Sequence, residues 1–315
     1  MKYSFVLIAF NEQENIISCI NSILAQDGLG DSYEIIVVDD GSRDHTSEHV
    51  LRMAAENPKI KLVSDGKNHG RGFGRFTGVN KSSGDFVIMV DADILLPDHW
   101  LQTCLENIEG HDVVGGIAVP DGDVAYIYRK FKLEPKTIMG STTITGNNGM
   151  YKRKVFSKVT FDKNLREGED VDFNHRASTE GFVEYCIPGL TVEHQESKSF
   201  VRSVQWLYQS GIGATRQLIR FREVRLPDLA FFATLLSTIC AIILTILTST
   251  GLWFLVPMLG LLGASFMHVR GKFSLGRDTA ASNVGAILVD TLLIFSYYVG
   301  RLVGPFILLG RGKKK

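Results

Sequence analysis

Two patterns of apolar and polar residues follow one another along the chain. In the first, short apolar runs, Tyr3–Phe10 (YSFVLIAF), Glu34–Val38 (EIIVV), Ile60–Ser64 and Phe86–Val90, alternate with stretches of helical spacing, roughly Glu12–Ala25, Asp44–Ala55 and Arg71–Lys81. Uninterrupted β-branched runs are what strands buried on both faces look like, and their alternation with helices predicts an α/β domain with a doubly wound, mostly parallel sheet. Such sheets bind ligands beyond the carboxyl ends of their strands. Polar residues gather at those ends: Asn11 and Glu12 after the first run, Asp39, Asp40, Gly41 and Ser42 after the second, Asp91 and Asp93 after the fourth. Carboxylates at three strand ends repel one another unless a cation or the donors of a ligand occupy the crevice.

The second pattern begins at Leu229. From there to Met267, 39 residues pass without Asp, Glu, Lys, Arg or His, about twice the ~20 that cross a bilayer. The polar break Thr248-Ser-Thr-Gly251 divides them into a hairpin of two spans, 229–248 and 252–267. A third apolar stretch, 284–309, contains Asp290 and Arg301, which lie about 16 Å apart along a helix and cannot pair within it. Each needs a partner from another span, a second subunit or water, and the expectation is oligomer packing or lipid headgroup contact. Between the two patterns, Phe200–Arg225 mixes Val201, Val204, Leu207, Ile212 and Leu218 with Arg202, Gln205, Gln209, Arg216 and Arg220, the pattern of a helix lying along headgroups. Its arginines, Arg202 among them, are either lipid-phosphate ligands or ordinary juxtamembrane charge. The expected organisation is a catalytic domain over 1–198, an interfacial segment over 199–228, a transmembrane region over 229–310 and a basic tail over 311–315.

Lys plus Arg and Asp plus Glu number 34 each, so the net charge of +0 offers no basic footprint for nucleic acid, and no such partner is expected. The positions of the charges carry more. Arg216, Arg220, Arg222 and Arg225 precede the first span, and Arg270, Lys272 and Arg277 follow the second, which predicts that both flanks and the soluble domain are cytoplasmic in a multi-pass protein of the cell membrane. The tail Arg311, Lys313, Lys314 and Lys315 fits badly: three crossings would put it outside, so either it is translocated against the rule or the third stretch re-enters or lies shallow. Met1–Phe10 lacks the separate basic and apolar regions of a cleavable leader. The four cysteines, Cys19, Cys104, Cys186 and Cys240, have no metal or redox spacing and read as reduced packing residues.

The sharpest local feature is Phe86–Asp93 (FVIMVDAD), a strand that ends on two aspartates one residue apart. Aspartates also end strands as turn residues, but the ordered series around this one is more specific. Ile8-Ala-Phe-Asn-Glu12, Val37-Val-Asp-Asp-Gly-Ser42, Asn68-His-Gly70 through Gly84, Asp91-Ala-Asp93 and Glu167-Gly-Glu-Asp-Val-Asp172 together resemble family 2 glycosyltransferases of the nucleotide-diphospho-sugar (GT-A) fold over residues 3–200, and among them the membrane-attached polyprenyl-phosphate sugar synthases of the dolichyl-phosphate mannose synthase type.

That resemblance implies roles. Phe10, Asn11, Glu12 and Asp40 would hold the nucleoside, with Asp39 beside them or structural. Asp93 would bind Mg²⁺ or Mn²⁺, with Asp91 completing the metal shell or touching the ribose; all-oxygen ligands suit these ions rather than zinc. His194 is a metal-ligand candidate, although a lone histidine is more often structural. The glycine-rich Asn68–Arg75 segment opens a helix, so its amides and Arg71 or Arg75 are candidates for the diphosphate. Asn147 and Asn148 either bond sugar hydroxyls or form an Asn-Gly turn. Glu169 and Asp170 match the family's acidic pair, with Asp170 as base; helix N-terminal capping accounts for the same residues. The implied reaction is inverting transfer of a sugar from a nucleotide-sugar donor, of the GDP-mannose or UDP-glucose class, to a membrane lipid phosphate. A lipid alcohol acceptor or a silent nucleotide-sugar-binding protein are the alternatives. A processive polysaccharide synthase would need an Arg-Trp pair in its acceptor motif, and the chain has none.

Overall fold

The computed structural model describes residues 1–119, 125–131, 144, 146–195, 199–273 and 280–311. Thr145, Arg277 and the tail lysines Lys313, Lys314 and Lys315 lie outside the described residues. In chain order the elements are β1 (Tyr3–Ala9), α1 (Ile16–Leu24), β2 (Tyr33–Asp39), α2 (Thr46–Glu56), β3 (Ile60–Val63), α3 (Arg71–Lys81), β4 (Phe86–Asp91), β5 (Ile94–Leu95), α4 (Trp100–Asn107), β6 (Val113–Val119), α5 (Ala125–Phe131), β7 (Asn148–Lys152), α6 (Glu169–Thr179), β8 (Glu184–His194), α7 (Phe200–Phe221), α8 (Leu226–Thr248), α9 (Leu255–Lys272) and α10 (Ala280–Arg311). They form two units: Met1–Asp121 with Thr137–Glu196, and Gly122–Lys136 with Ser197–Lys315.

The first unit is built on one eight-stranded sheet of order β3-β2-β1-β4-β7-β6-β8-β5. The four apolar runs are its parallel half: β2, β1 and β4 are adjacent, and Ala9, Asp39 and Asp91 therefore end side by side. Most pairings are parallel, as expected, and the sheet is mixed because β7 runs antiparallel to both β4 and β6, and β5 antiparallel to β8. Sequence periodicity does not reveal strand direction, and these later strands are short or interrupted by glycine. At the β6–β8 pairing the register shifts between Gly115 and Ile117. A Cβ on Gly116 would sit 2.3 Å from the Leu190 carbonyl oxygen, so this bulge requires glycine. Apolar side chains fill both faces of the sheet, Phe5, Leu7, Ile35 and Val37 on one and Val6, Ile36, Val87 and Met89 on the other.

Helix α3 approaches the sheet to backbone distance. Its buried face is Gly72, Gly74, Arg75 and Gly78, and a Cβ on Gly78 would fall 2.2 Å from Val6 Cγ1. The glycines of this segment are thus a packing device, which brings the long Arg75 side chain under the sheet's carboxyl edge.

In the second unit α8 and α9 form a hairpin joined through Ser249–Phe254, and α8, the α9 segment and α10 are each long and apolar enough to cross a membrane. Helices α7 and α10 lie side by side with glycines in contact: a Cβ on Gly211 would be 2.1 Å from the Tyr297 carbonyl oxygen, and one on Gly300 2.0 Å from that of Tyr208. Such small-residue contacts are the usual means by which membrane helices approach closely. Ile127 of α5 joins a cluster with Val269, Phe273, Ala286 and Leu293, so this short helix belongs to the second unit although it interrupts the first in sequence. Asp290 and Arg301 find partners on other helices of the same chain. The Asp290 carboxylate accepts from Ser265 Oγ at 2.8 Å and pairs with His268 Nδ1 at 3.0 Å, and Arg301 pairs with Asp228 at 2.5 Å and lies over the Phe231 ring.

Candidate active site

The parallel strand order brings three polar loops together at the carboxyl edge of the first unit. Beyond β1, Asn11 adopts a left-handed backbone (φ 58°) that turns the chain sharply. Its N–H donates to Ser42 Oγ at 2.8 Å and its Oδ1 accepts from Arg43 N at 2.8 Å, so Asn11 knits the first loop to the second. Phe10 projects beside it and is exposed. Glu12 is partly buried, its Oε2 accepting from Asn15 Nδ2 at 2.8 Å.

The two aspartates after β2 are buried and serve the protein's own donors. Asp39 accepts from the Ser42 N–H and hydroxyl and from Ser47 Oγ. Asp40 accepts from the backbone N–H groups of His69 (2.7 Å) and Gly70 (2.9 Å). Gly72 N–H donates to the Leu165 carbonyl at 2.9 Å. The Gly70 and Gly72 amides are therefore engaged within the chain, which removes them as diphosphate donors; Arg166, bonded to Asn68 through both guanidinium nitrogens, holds the same loop from its other side.

Arg75 is the centre of the site. Its side chain is 2 % exposed and donates through Nε to Glu169 Oε1 (2.9 Å), through Nη2 to Asp91 Oδ1 (2.8 Å) and through Nη1 to the Gly146 carbonyl. One guanidinium thus ties β4, the loop before β7 and the start of α6. As a diphosphate ligand Arg75 is corrected: its fork is filled by protein. Arg71, one turn earlier, stays exposed within the fields of Glu169, Asp91 and Asp170, and its guanidinium makes no hydrogen bond to another described residue. It is the accessible cation of the cluster.

Glu169 is buried at the first turn of α6, and burial together with the neighbouring Asp170 raises its carboxyl above the usual range despite Arg75. Asp170 is half-buried, with Oδ1 accepting from Val171 N at 2.8 Å and Oδ2 from Gly146 N at 3.4 Å. Gly146 fits between Asp170 and Arg75, where a Cβ would come 2.8 Å from Asp170 Cβ.

Asp93 sits just before β5, whose pairing with β8 sets Ile94 opposite His194. Asp93 Oδ2 is 3.0 Å from His194 Nε2. Burial is the largest single influence and works to raise the Asp93 carboxyl, but the hydrogen bond and charge of His194 together with the Arg71 charge leave it below the usual carboxylate range. Glu12 shows the opposite outcome: burial and the charges of Asp93 and Asp91 push it up to about 7. Negative charge thus accumulates around Asp91, Asp93 and Glu12 in a shielded crevice. Among the described residues, no three His, Cys, Asp or Glu side chains are close enough to enclose an ion alone.

Asn147 lies half-buried, its Oδ1 accepting from Asn148 Nδ2 at 3.0 Å and its carbonyl from Asp91 N at 3.3 Å. Asn148 is fully buried in β7, where Oδ1 accepts from Gly116 N at 2.7 Å; it pins the bulge and is neither a sugar ligand nor a turn. Arg202 is exposed on the first turn of α7, in the other unit. The roles of Arg75 and Glu12 carry no local signal, since their partners lie 94 and about 80 residues away. In the second unit, a groove of about 470 Å³ runs between α7 and α10, lined by Phe200, Val204, Tyr208, Leu292, Phe295 and Val299 among others.

Comparison with known proteins places this geometry. The sequence profile of Glycosyl transferase family 2 matches residues 4–161, which includes the loops after β1, β2 and β4 but not Glu169, Asp170, His194 or Arg202. The glycosyltransferase AglE of Haloferax volcanii is 28% identical over 188 residues, 57% of this chain and 62% of that protein. The undecaprenyl-phosphate 4-deoxy-4-formamido-L-arabinose transferase of Edwardsiella ictaluri is 37% identical over 118 residues, 36% of each chain. The chain thus spans between about a third and three fifths of the length of these curated relatives. In fold it is similar to the mannosyltransferase PcManGT of Pyrobaculum calidifontis, solved with GDP-Man and Mn²⁺ (TM-score 0.62, 17% identity, 97% of this chain and 87% of that one). It is also similar to S. aureus TarS 1-349, solved with UDP-GlcNAc (TM-score 0.52, 17% identity, 97% and 92%).

Proposed function

The chain belongs to glycosyl transferase family 2, and from that premise we propose that it moves a sugar from a nucleotide-diphospho-sugar to the phosphate of a membrane polyprenyl phosphate. The observation that carries this reading is the convergence on Arg71 and Arg75 of Asp91, Glu169 and Asp170, with Asp93 beside them. Undecaprenyl-phosphate sugar transferases among the relatives support the acceptor class, and the apolar groove of the second unit suits a lipid chain. Arg202, exposed on the first turn of α7 between the groove residues Phe200 and Val204 in sequence, is our candidate for the acceptor's phosphate.

Departure of a nucleoside diphosphate concentrates negative charge on its leaving oxygens, which must be met by positive charge already in place. A divalent Mg²⁺ or Mn²⁺ would supply this when bound, and Asp91 and Asp93 are the residues to hold it. Burial first, and then the charges of Asp93 and Asp91, push Glu12 up to about 7, and the charge repulsion is the part such an ion would relieve. Two carboxylates without a third protein ligand suit ions whose shell is completed by substrate phosphates and water. His194 then acts through Asp93, fixing the orientation of its carboxylate, and is assigned here as support rather than ligand.

Arg71 is our candidate cation for the diphosphate. Phe10 and Asn11, exposed beyond β1, flank the nucleoside, and Asp39 and Asp40 shape that pocket by fixing its loops. The half-buried Asp170 is our candidate base, orienting the attacking oxygen and taking any proton it carries; a lipid phosphate is already largely ionised, so orientation is its larger task. Attack opposite the departing diphosphate inverts the anomeric centre.

The test is transfer from a panel of nucleotide sugars by purified protein, with undecaprenyl phosphate and undecaprenol as paired acceptors. A product on the phosphate alone supports the proposal, whereas a product on the alcohol alone replaces it with glycolipid synthesis.

A further inference from the structure

Length and composition make α10 a third membrane span, yet its contacts are those of a helix that does not cross. Helices α8 and α9 are about 34 and 27 Å long, and their hairpin puts the start of α8 and the end of α9 on one face of the bilayer. Both serve as depth gauges for α10. Asp290 bonds Ser265 and His268, which lie about 6–10 Å before the end of α9. Tyr298 packs edge-on against Phe231, and Arg301 pairs with Asp228, which lie about 3–8 Å past the start of α8. From Asp290 to Arg301 the chain advances about 16 Å along the helix and gains no depth.

Two further observations agree. Helix α7 runs parallel to α10, with Ser296 Oγ donating to the Val204 carbonyl and Thr215 Oγ1 to that of Arg301. With Arg202, Gln205, Gln209, Arg216, Gln217 and Arg220 on α7, that pair is too polar to traverse hydrocarbon together. The exposed apolar residues of α10, Val284, Leu288, Leu292, Phe295, Leu302 and Phe306, form one stripe at helical spacing along its whole length, as in a helix lying in the interface plane.

We propose that α10 lies along the bilayer surface across the α8 and α9 ends, forming with α7 a two-helix platform in the headgroup layer, so that the protein crosses the membrane twice. The tail then stays on the face from which α8 enters. Arg311, Lys313, Lys314 and Lys315 join Arg216, Arg220, Arg222, Arg225, Arg270 and Lys272 there, and the violation of the charge rule that three crossings impose disappears.

The test is labelling of single cysteines with a membrane-impermeant maleimide in sealed vesicles of both orientations. The full chain carries Cys186→Ser and Cys240→Ser, with Glu223→Cys before α8, Ser249→Cys in the hairpin turn or Lys313→Cys in the tail. Position 313 is expected to label from the side of 223 and opposite 249; labelling with 249 overturns the proposal. A second readout uses nitroxide depth at Leu288, Leu292, Leu302 and Phe306. The account expects one shared depth, and a progressive change approaching about 27 Å from 288 to 306 refutes it.

Discussion

Replacing Arg75 by methionine separates clamp from ligand. The guanidinium and the Glu169 carboxylate are 2 % and 1 % exposed, so this is a desolvated pair, and removing one partner strands a buried charge at a cost of about 3–5 kcal/mol. Glu169→Gln leaves Arg75 with Asp91 and the Gly146 carbonyl and should cost about 1–3 kcal/mol. In the double variant the stranded carboxylate is gone, so the combined loss should fall short of the sum by about 1–3 kcal/mol. Unfolding of the four proteins in one detergent, followed by intrinsic fluorescence, closes the cycle. The pH dependence supplies a sign. Glu169 is already raised in the folded protein, and without Arg75 it rises further. A carboxyl raised on folding binds more protons in the native state than in the unfolded one, so its favourable contribution is present at acid pH and is lost as pH climbs through the folded value. The gap between wild type and Arg75→Met should therefore widen from acid toward neutral pH. Additivity within about 0.5 kcal/mol, or a gap independent of pH, would refute the buried clamp.

Other perturbations follow from the same contacts. Glu12, at about 7 against the ordinary glutamate value of 4.5 in the unfolded chain, loses its stabilising contribution as pH rises through neutrality; Glu12→Gln should gain stability over metal-free wild type between pH 5 and 8, and equal pH profiles would contradict the raised carboxyl. Asp170→Asn should slow transfer by about 10²-fold or more while calorimetric donor affinity is retained; unchanged turnover on the lipid acceptor removes it from the mechanism. His194→Ala should weaken metal activation about 10–100-fold, read as a shift in the Mn²⁺ dependence of rate. Arg301→Met leaves Asp228 only its bonds to Arg225 and should destabilise by about 1–3 kcal/mol, measured as loss of monodisperse protein on heating.

Much of the scaffold was legible because it is periodic. Apolar runs located β1 to β4 to within about two residues, and α3 begins and ends at Arg71 and Lys81 as its spacing predicts. The strand-end acids were legible for the same reason, since a parallel sheet fixes where they must go. What could not be read is side-chain pairing across long separations. Arg75 and Arg71 are one helical turn apart and look alike in sequence; only the packing of Gly74 and Gly78 on β1 turns Arg75 inward toward Glu169. Asn148 looked like a sugar ligand because the bulge at Gly116 that occupies it leaves no periodic trace. Asp290 and Arg301 announced a need for partners, but the partners, Ser265, His268 and Asp228, lie on other helices.

The central claim is that Asp91 and Asp93 hold a divalent cation against a departing nucleoside diphosphate during transfer to a lipid phosphate. Mass spectrometry of the lipid product from an isotopically labelled donor panel, with purified protein and undecaprenyl phosphate, tests it most directly. The account predicts a phosphate-linked sugar that forms with Mg²⁺ or Mn²⁺ and vanishes both after chelation and in Asp93→Asn; undiminished product under either condition would contradict it.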